Sequence, residues 1–333
     1  MWELTEEPFR VHPRGLVIAV VVTFNPNLAT LRQLLEALLP QVESLVLVDN
    51  GSKNSAQVAA MAAQASEHFI GLPRNSGIAV AHNVGIRWAL QQGASHVLLM
   101  DEDSLPPANL VQVLWQVANQ SPRCAAVGSV PVDSRRPANH HLAGKKTFLK
   151  RVSSPLEPEA LVYSFTTWGP KHRECPGPGQ LVRVPFVLAS GCLLSAQALE
   201  QVGPMNEFLF IDHVDLAWGL RANQAGFEVL VTGDVQMEHQ LGEAVVSLPG
   251  WIGSLSGRRL HLQNPTRNYY LTRNTLFLLR APFLRRSWKF GYLVWLAKYV
   301  SFYALAAPQK QCRWRTLARA FCDGLTGRGG ALF

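Results

Sequence analysis

The sequence has few of the features that mark several large classes of protein. Its cysteines are odd in number and include no C-x-x-C pair: Cys124, Cys175, Cys192, Cys312 and Cys322. This spacing disfavours a disulfide framework and a zinc site, and it predicts reduced thiols in a cytoplasmic protein. Residues 1–15 carry three glutamates and no apolar run behind a basic cluster, so no signal peptide is expected.

Glycine motifs that bind phosphate are also missing. The turn after the first apolar run reads TFNPN rather than G-x-G-x-x-G, and no G-x-x-x-x-G-K-[ST] occurs. A dinucleotide-dependent dehydrogenase and a P-loop NTPase are therefore disfavoured. The chain shows no internal repeat and no heptads.

The chain is rich in hydrophobic residues and carries a net positive charge. Its 333 residues are 48% hydrophobic, enough for one large α/β domain with additions. The formal net charge is +8, and the basic residues become denser after residue 257. This excess suggests an anionic partner, such as nucleic acid, lipid headgroups or a phosphorylated substrate.

The first third of the chain alternates strand and helix patterns. Strands are predicted at 16–24, 44–50, 68–72 and 96–100, and helices at 28–42, 56–66 and 78–92. Repeated βα units predict a doubly wound, mostly parallel α/β sheet, in which ligands sit at the carboxyl ends of the strands. Polar clusters fall at those ends: Thr23–Asn25, Asp49–Ser52 and Asp101–Asp103.

The rest of the chain is less regular. Residues 133–180 are rich in Pro, Gly, Arg and Lys and are predicted to form an insertion. Regular structure is expected again at 184–195, in a helix at 212–225 and in a β-like run at 227–239. We divide the chain into a sheet domain, residues 1–257, and a helical basic-aromatic extension, residues 258–333.

An apolar, aromatic segment lies within the extension at 290–307. It is shorter than the roughly 20 apolar residues of a spanning helix, and Lys298 lies near its middle. Its basic flanks predict an interfacial helix on an anionic membrane surface. An ordinary buried helix with a snorkelling lysine is the alternative.

An acidic cluster ends the strand pattern in VLLMDEDSLPP, residues 97–107. Asp101 and Asp103 point to the same side of an extended segment. Two hard oxygen donors there suit Mg²⁺ or Mn²⁺ that also holds phosphates. The alternative is a helix N-terminus, where acids favour the helix dipole. The other polar clusters at this edge favour the metal site.

The order of these motifs is typical of one family. VVTFNP, LVLVDNGS, RNSGIAVAHNVGI and LLMDEDS resemble successive motifs of the inverting, nucleotide-sugar-dependent glycosyltransferases of family two, which have the GT-A fold. Later, FLFIDHVDLAWGLRANQAGFEV, EHQLGE, NPTRNYYLTRNTLFLLR and CDGLTGRGG resemble bacterial rhamnosyltransferases that build O-antigen and related surface polysaccharides. The resemblance covers residues 16–330, apart from the insertion.

The resemblance implies roles for the polar residues. The implied donor-binding residues are Thr23, Asn25, Asp49, Asn75, Gly77, Asp101 and Arg273. Asp49 is expected to accept hydrogen bonds from the base or ribose of the donor. The implied ligands of Mg²⁺ or Mn²⁺ are Asp103 and His239. Arg273 belongs to a basic-aromatic patch, residues 267–274, that suits a diphosphate clamp but fits a solvated helix face as well.

The general base is expected in FIDHVDLAW. Inversion requires a carboxylate that takes the proton of the acceptor hydroxyl. Most family members have Glu-Asp-x-Asp here, whereas this chain has Asp212-His213-Val214-Asp215. Asp212 is therefore the first candidate and Asp215 the second, and a histidine base at His213 is a third possibility. Either aspartate would also serve as a helix cap.

The function implied by the resemblance is metal-dependent, inverting transfer of L-rhamnose from dTDP-L-rhamnose. The acceptor would be a glycan on a polyprenyl diphosphate, and the protein would sit peripherally on the cytoplasmic face of the inner membrane, with no nucleic-acid partner. The alternatives are another hexose from a UDP-, GDP- or dTDP-sugar, a nucleotidyltransferase, and a non-catalytic membrane-docked assembly protein. A nucleotidyltransferase should carry a Gly/Arg/Lys-rich loop where this chain has TFNPN.

Overall fold

The computed structural model describes residues 15–132, 162–166, 169–173, 176–238, 244–246, 260–305, 307 and 309–332. The strands are β1 (Val17–Thr23), β2 (Ser44–Asp49), β3 (His68–Gly71), β4 (His96–Asp101), β5 (Cys124–Val132), β6 (Val162–Thr166), β7 (Gly169–Arg173), β8 (Leu181–Arg183), β9 (Cys192–Ser195), β10 (Glu228–Glu238), β11 (Ala244–Val246) and β12 (Leu260–Leu262). The helices are α1 (Leu28–Leu38), α2 (Ser55–Gln64), α3 (Ile78–Gln91), α4 (Leu110–Ala118), α5 (Ala196–Val202), α6 (Val214–Gln224), α7 (Pro265–Arg280), α8 (Arg286–Leu305) and α9 (Lys310–Thr326).

Eight strands form one sheet in the order β3-β2-β1-β4-β9-β5-β10-β8. The strands β3, β2, β1 and β4 are parallel, and so are β5 and β10. The strand β9 runs antiparallel to both of its neighbours, and β8 is antiparallel to β10 at the edge. The predicted doubly wound, mostly parallel sheet is confirmed.

The core lies on both faces of this sheet. All seven residues of β1 are buried. Ile18, Val20 and Val22 join the core on one face, while the alternating residues of β1 join the core on the other. A strand covered on both faces requires a continuous apolar run, which is the pattern of its sequence. Gly85 lets α3 approach this strand closely, because a Cβ there would lie 2.2 Å from Val20 Cγ1.

The later elements differ in part from the predictions. In the segment 184–195 only Cys192–Ser195 forms a strand. The helix predicted at 212–225 begins at Val214, because Asp212 and His213 have positive φ angles of 63° and 60°. Within the predicted insertion, β6 and β7 pair as an antiparallel hairpin. Residues 133–161 and the predicted boundary at residue 257 lie outside the described residues.

The extension contributes three helices that pack on one another and on the sheet domain. The helix α8 covers the predicted segment 290–307 as far as Leu305 and buries Tyr292, Leu296 and Tyr303. Its Phe290, Leu293 and Leu305 are exposed by about half or more of their area. Among the helices of the described residues, none is both long enough and apolar enough to cross a bilayer.

Candidate active site

The ends of β1 and β2 meet through Asp49. Its side chain is fully buried, and its Oδ1 accepts hydrogen bonds from the hydroxyls of Thr23, at 2.9 Å, and of Ser52. The second oxygen, Oδ2, accepts from the backbone N–H of Ser52 at 3.0 Å. The predicted neighbours Thr23 and Asp49 are therefore together, and here the Asp49 carboxylate organises the loop after β2.

Asn25 joins the same two loops from the other side. Its backbone N–H donates to Ser52 Oγ at 2.7 Å, and its side-chain Oδ1 accepts from the N–H of Lys53 at 2.9 Å. Asn25 has a φ of 56°, a conformation that asparagine tolerates better than most residues. These bonds hold the loops after β1 and β2 in one arrangement beside the sheet edge.

Asn75 and Gly77 form the turn into α3. Asn75 Oδ1 accepts from Asn50 Nδ2 at 3.1 Å and from the N–H of Gly77 at 3.0 Å. Gly77 has a φ of 92°, and a Cβ there would lie 2.6 Å from the carbonyl oxygen of Phe210. That carbonyl also accepts the N–H of Ile78 at 2.8 Å. The entrance of α3 is thus tied to the loop that carries Asp212.

The acidic cluster lies at the carboxyl end of β4, as predicted. The helix-terminus alternative is wrong, because α4 begins only at Leu110 and has no acidic residue in its first turn. The Asp101 N–H donates to Ser190 Oγ at 3.2 Å, and Ser190 donates to Ser104 Oγ at 2.7 Å. This polar chain links the cluster to the segment before β9.

Glu102 is a residue of this cluster whose role the sequence did not reveal. Its Oε2 accepts the N–H of Phe24 at 2.6 Å, which ties the end of β4 to the loop after β1. Burial raises the pKa of Glu102 to about 7, with smaller contributions from Asp103, Asp101 and Asp49, against the lowering effect of the Phe24 N–H. The contact joins residues 78 positions apart, so no local pattern could have indicated it.

The oxygen donors of the cluster suit a hard divalent cation. Asp103 is exposed and Asp101 is partly exposed, whereas His239 lies outside the described residues. Within the described part of the chain, no three His, Cys, Asp or Glu side chains gather into a complete metal site. Mg²⁺ is commonly held by one or two carboxylates together with substrate phosphates and water. Asp101 and Asp103 fit that arrangement.

Asp212 forms an ion pair with the extension. Arg267 Nη2 lies 2.5 Å from Asp212 Oδ1, and Arg267 Nε donates to Oδ2 at 3.4 Å. The Asp212 side chain is 7% exposed and that of Arg267 is 41% exposed. The first candidate base is thus nearly enclosed, with its charge matched by a residue of α7.

His213 turns toward the C-terminal helices. Its Nε2 lies 3.0 Å from Thr275 Oγ1, and its ring makes edge contacts with Tyr292 and Trp295, with centroids 6.1 and 6.5 Å away. Burial lowers the pKa of His213 to about 4, against a raising contribution from Asp212. This packing gives His213 a structural position and speaks against the histidine as the base.

Asp215 connects the base region with the acidic cluster. Its Oδ2 accepts the N–H of Ala189 at 3.1 Å, and it lines a small cavity with Leu99, Cys192 and Trp218. Burial raises the pKa of Asp215 to about 7, and the charge of Asp101 is the second cause. Asp101 and Asp215, 114 positions apart by their residue numbers, therefore interact across the sheet edge.

Arg273 lies inside the protein. Its side chain is fully buried, and it donates to the carbonyl oxygens of Gly330 at 2.6 Å, Phe208 at 3.2 Å and Leu209 at 3.0 Å. Its guanidinium also lies against the rings of Tyr269, Tyr270 and Phe277. This position does not support the predicted donor contact. Arg273 instead joins α7 to the 208–213 loop and to the C-terminal tail.

Comparisons with known proteins agree with this architecture. The family model described as "Glycosyl transferase family 2" matches residues 18–171. The dTDP-rhamnosyl transferase RfbF of Shigella flexneri is 31% identical over 266 residues, which are 79% of this chain and 80% of that protein.

Two solved structures share the fold at low identity. A mannosyltransferase from Pyrobaculum calidifontis, PcManGT in complex with GDP-Man and Mn²⁺, matches with a TM-score of 0.52 and 15% identity, over 97% of this chain and 90% of that one. S. aureus TarS 1–349 in complex with UDP-GlcNAc matches with a TM-score of 0.52 and 14% identity, over 94% and 81%. These likenesses show the GT-A fold. With the relative from Shigella flexneri and the family match, they establish that the chain belongs to glycosyl transferase family 2 and is a glycosyltransferase.

Proposed function

We propose that the protein transfers L-rhamnose from dTDP-L-rhamnose to a glycan acceptor, with inversion at the anomeric carbon and with the help of Mg²⁺ or Mn²⁺. The observation that carries the donor sugar is the 31% identity to a dTDP-rhamnosyl transferase across about four fifths of both chains. The observation that supports the chemistry is that the loop carrying Asp212 is tied to the proposed donor edge, because the Phe210 carbonyl accepts the N–H of Ile78 at 2.8 Å.

The donor would bind along the carboxyl ends of β1, β2 and β4. Thr23, Asn25 and Asp49 would line the nucleoside pocket, and Asn75 and Gly77 would close it at the entrance of α3. Asp101 would hold the ribose side, and Asp103 the cation. Mg²⁺ or Mn²⁺ would neutralise charge on the departing diphosphate. The Asp103 side chain is exposed, so a divalent cation can reach it.

The general base would be Asp212, with Asp215 as the second candidate. Asp212 is the carboxylate whose charge is matched by Arg267, and an ionised carboxylate is the form that accepts a proton. Asp215 is the poorer candidate in this arrangement, because burial and Asp101 favour its protonated form near neutral pH. Transfer of the acceptor proton to Asp212 would accompany attack of the acceptor oxygen on the anomeric carbon.

The acceptor would be a lipid-linked glycan of O-antigen or lipopolysaccharide biosynthesis, held on a polyprenyl diphosphate. The C-terminal helices support a peripheral position on the cytoplasmic face of the inner membrane. Leu305 at the end of α8 is 70% exposed, and the nearby Trp314, which donates to the Ala304 carbonyl at 2.8 Å, is 53% exposed. Exposed basic residues flank them, among them Lys298 and Arg315. Apolar side chains with basic neighbours suit an anionic lipid surface.

The test is a panel of nucleotide sugars offered with Mg²⁺ or Mn²⁺: dTDP-L-rhamnose, UDP-GlcNAc, UDP-glucose and GDP-mannose. Donor hydrolysis and thermal unfolding are recorded for each. We expect dTDP-L-rhamnose to be hydrolysed fastest and to stabilise the protein most, by about 2.7 kcal/mol at 100 times its Kd. Preference for another donor would favour the alternative hexose, and no turnover or stabilisation by any donor would favour the non-catalytic assembly protein.

A further inference from the structure

The loop that carries Asp212 has an unusual backbone. Phe210, Asp212 and His213 have φ angles of 63°, 63° and 60°, in the left-handed region that residues other than glycine rarely adopt. Such conformations cost free energy and persist only where surrounding structure imposes them. The contacts that hold this loop therefore determine where the Asp212 carboxylate points.

The contacts that hold this loop in place come from α7. Asn274 Nδ2 lies within hydrogen-bond distance of three carbonyl oxygens of the loop, those of Leu209 at 2.9 Å, Ile211 at 2.8 Å and Asp212 at 3.0 Å. Asn274 is fully buried; its bond to Leu209 is buried, and its bonds to Ile211 and Asp212 are partly buried. The main chain at Asp212 is thus held by the same helix that supplies the partner of its side chain.

Arg267 itself is anchored at the start of α7. Asn264 caps the helix, because its Oδ1 accepts the N–H of Arg267 at 2.8 Å, and Pro265 occupies the first turn. The Arg267 guanidinium then meets Asp212 with two nitrogens, Nη2 and Nε. A planar guanidinium that contacts both carboxylate oxygens restricts rotation of the carboxylate, which a lysine cannot do in the same way.

Among the described residues, four other titratable groups interact with the charge of Asp212, and none of them replaces Arg267 as its partner. Charges on Asp212 interact with His213, Asp215, Tyr270 and Tyr299. None of these four carries a positive charge at neutral pH, given the lowered pKa of His213. Asp212 is mostly enclosed, so its pairing with Arg267 is less screened than a surface ion pair.

We propose that Arg267 is a positioning residue for Asp212: its two-point ion pair aims the carboxylate at the acceptor hydroxyl, so that the C-terminal extension completes the active site of the sheet domain. The inference rests on the proposed role of Asp212 as the base. It assigns Arg267 a different task from the diphosphate clamp that the basic-aromatic patch suggested.

The experiment compares Arg267→Ala and Arg267→Lys with Arg280→Ala in the full chain. Arg280 lies on the same helix but donates to the carbonyls of Gly324 and Leu325, so it is the matched control. Steady-state rates are measured with dTDP-L-rhamnose and a saturating acceptor, and donor binding is titrated directly. We expect Arg267→Ala to lower kcat by about 10²-fold, the effect of misplacing a reacting group by about 1 Å, with donor KM changed less than threefold.

Rescue separates positioning from loss of folding. Arg267→Lys should recover only part of the rate, since it keeps the charge but not the two-point contact. Guanidinium ions at tens of millimolar should raise the rate of Arg267→Ala and leave Arg280→Ala unchanged. Absence of both kinds of rescue, with thermal unfolding unchanged, would overturn the proposal.

A double-mutant cycle separates this inference from the proposed function. If Arg267 acts through Asp212, Arg267→Ala should have little further effect in an Asp212→Asn background. Independent, multiplicative losses would overturn the positioning role, and so would a donor KM raised tenfold with unchanged kcat, which would make Arg267 a donor ligand. Near-full turnover of Asp212→Asn would instead show that the proposed base is wrong.

Discussion

Asp215→Asn should make the protein more stable, and the gain should grow with pH. Because burial and the charge of Asp101 raise the pKa of Asp215 to about 7 from an ordinary value of 3.8, the folded state binds this proton more tightly than the unfolded state. Stability is therefore lost as pH rises from about 4 through about 7, where the folded carboxyl finally ionises. Asparagine has no proton to lose, and its oxygen can still accept the N–H of Ala189.

The size of the effect follows from linkage. Between pH 5 and the folded pKa of about 7, each pH unit contributes about 1.36 kcal/mol, or about 2.7 kcal/mol in all. Asp215 is only partly buried, and solvent reduces the figure to about 2 kcal/mol. The advantage of Asp215→Asn over the wild type should thus be about 2 kcal/mol larger at pH 8 than at pH 5.

The assay is urea unfolding of both proteins at pH 5 and pH 8, without donor or divalent cation. Asp234→Asn replaces an exposed aspartate in the same way and is the matched control. Asp101→Asn removes the second cause of the raised pKa and should reduce the pH dependence that Asp215 contributes. A stability difference that is the same at both pH values, or equally pH-dependent in Asp234→Asn, would refute the reasoning.

Three further predictions concern the metal, the histidine and the membrane. Asp103→Ala should abolish transfer and weaken donor binding in Mg²⁺, and chelation should do the same; activity that persists in excess chelator would contradict the metal role. His213→Phe should leave the shape of the pH–rate profile between pH 5.5 and 8 unchanged, since the pKa of His213 is about 4; a histidine base would instead make the wild-type rate fall through about pH 6.5. The protein should bind anionic vesicles less tightly as salt is added, because each basic residue near the surface contributes about 1 kcal/mol that salt screens. Trp314→Ser should weaken this binding. Equal partitioning to neutral vesicles would count against the interfacial surface.

The sequence by itself determined the sheet and the edge at which the site lies. The apolar side chains of a continuous β-branched run such as that of β1 are all removed from water only in a strand buried on both faces. Repeated βα units place the ends of the parallel strands together. Thr23, Asp49 and Asp101 follow such strands, so their common edge was predictable. The family motifs likewise indicated a glycosyltransferase before any contact was known.

Only the tertiary structure decided what each polar side chain contacts. Arg267 pairs with Asp212 across 55 positions, and Glu102 bonds the N–H of Phe24 across 78. Arg273 and Arg267 are both arginines of α7, yet Arg273 is fully buried whereas Arg267 is partly exposed. The physical reason is that motif spacing specifies local geometry, whereas the docking of α7 on the 208–213 loop depends on packing between segments far apart in the chain. The partners of Asp212, and with them its orientation, arise from that docking.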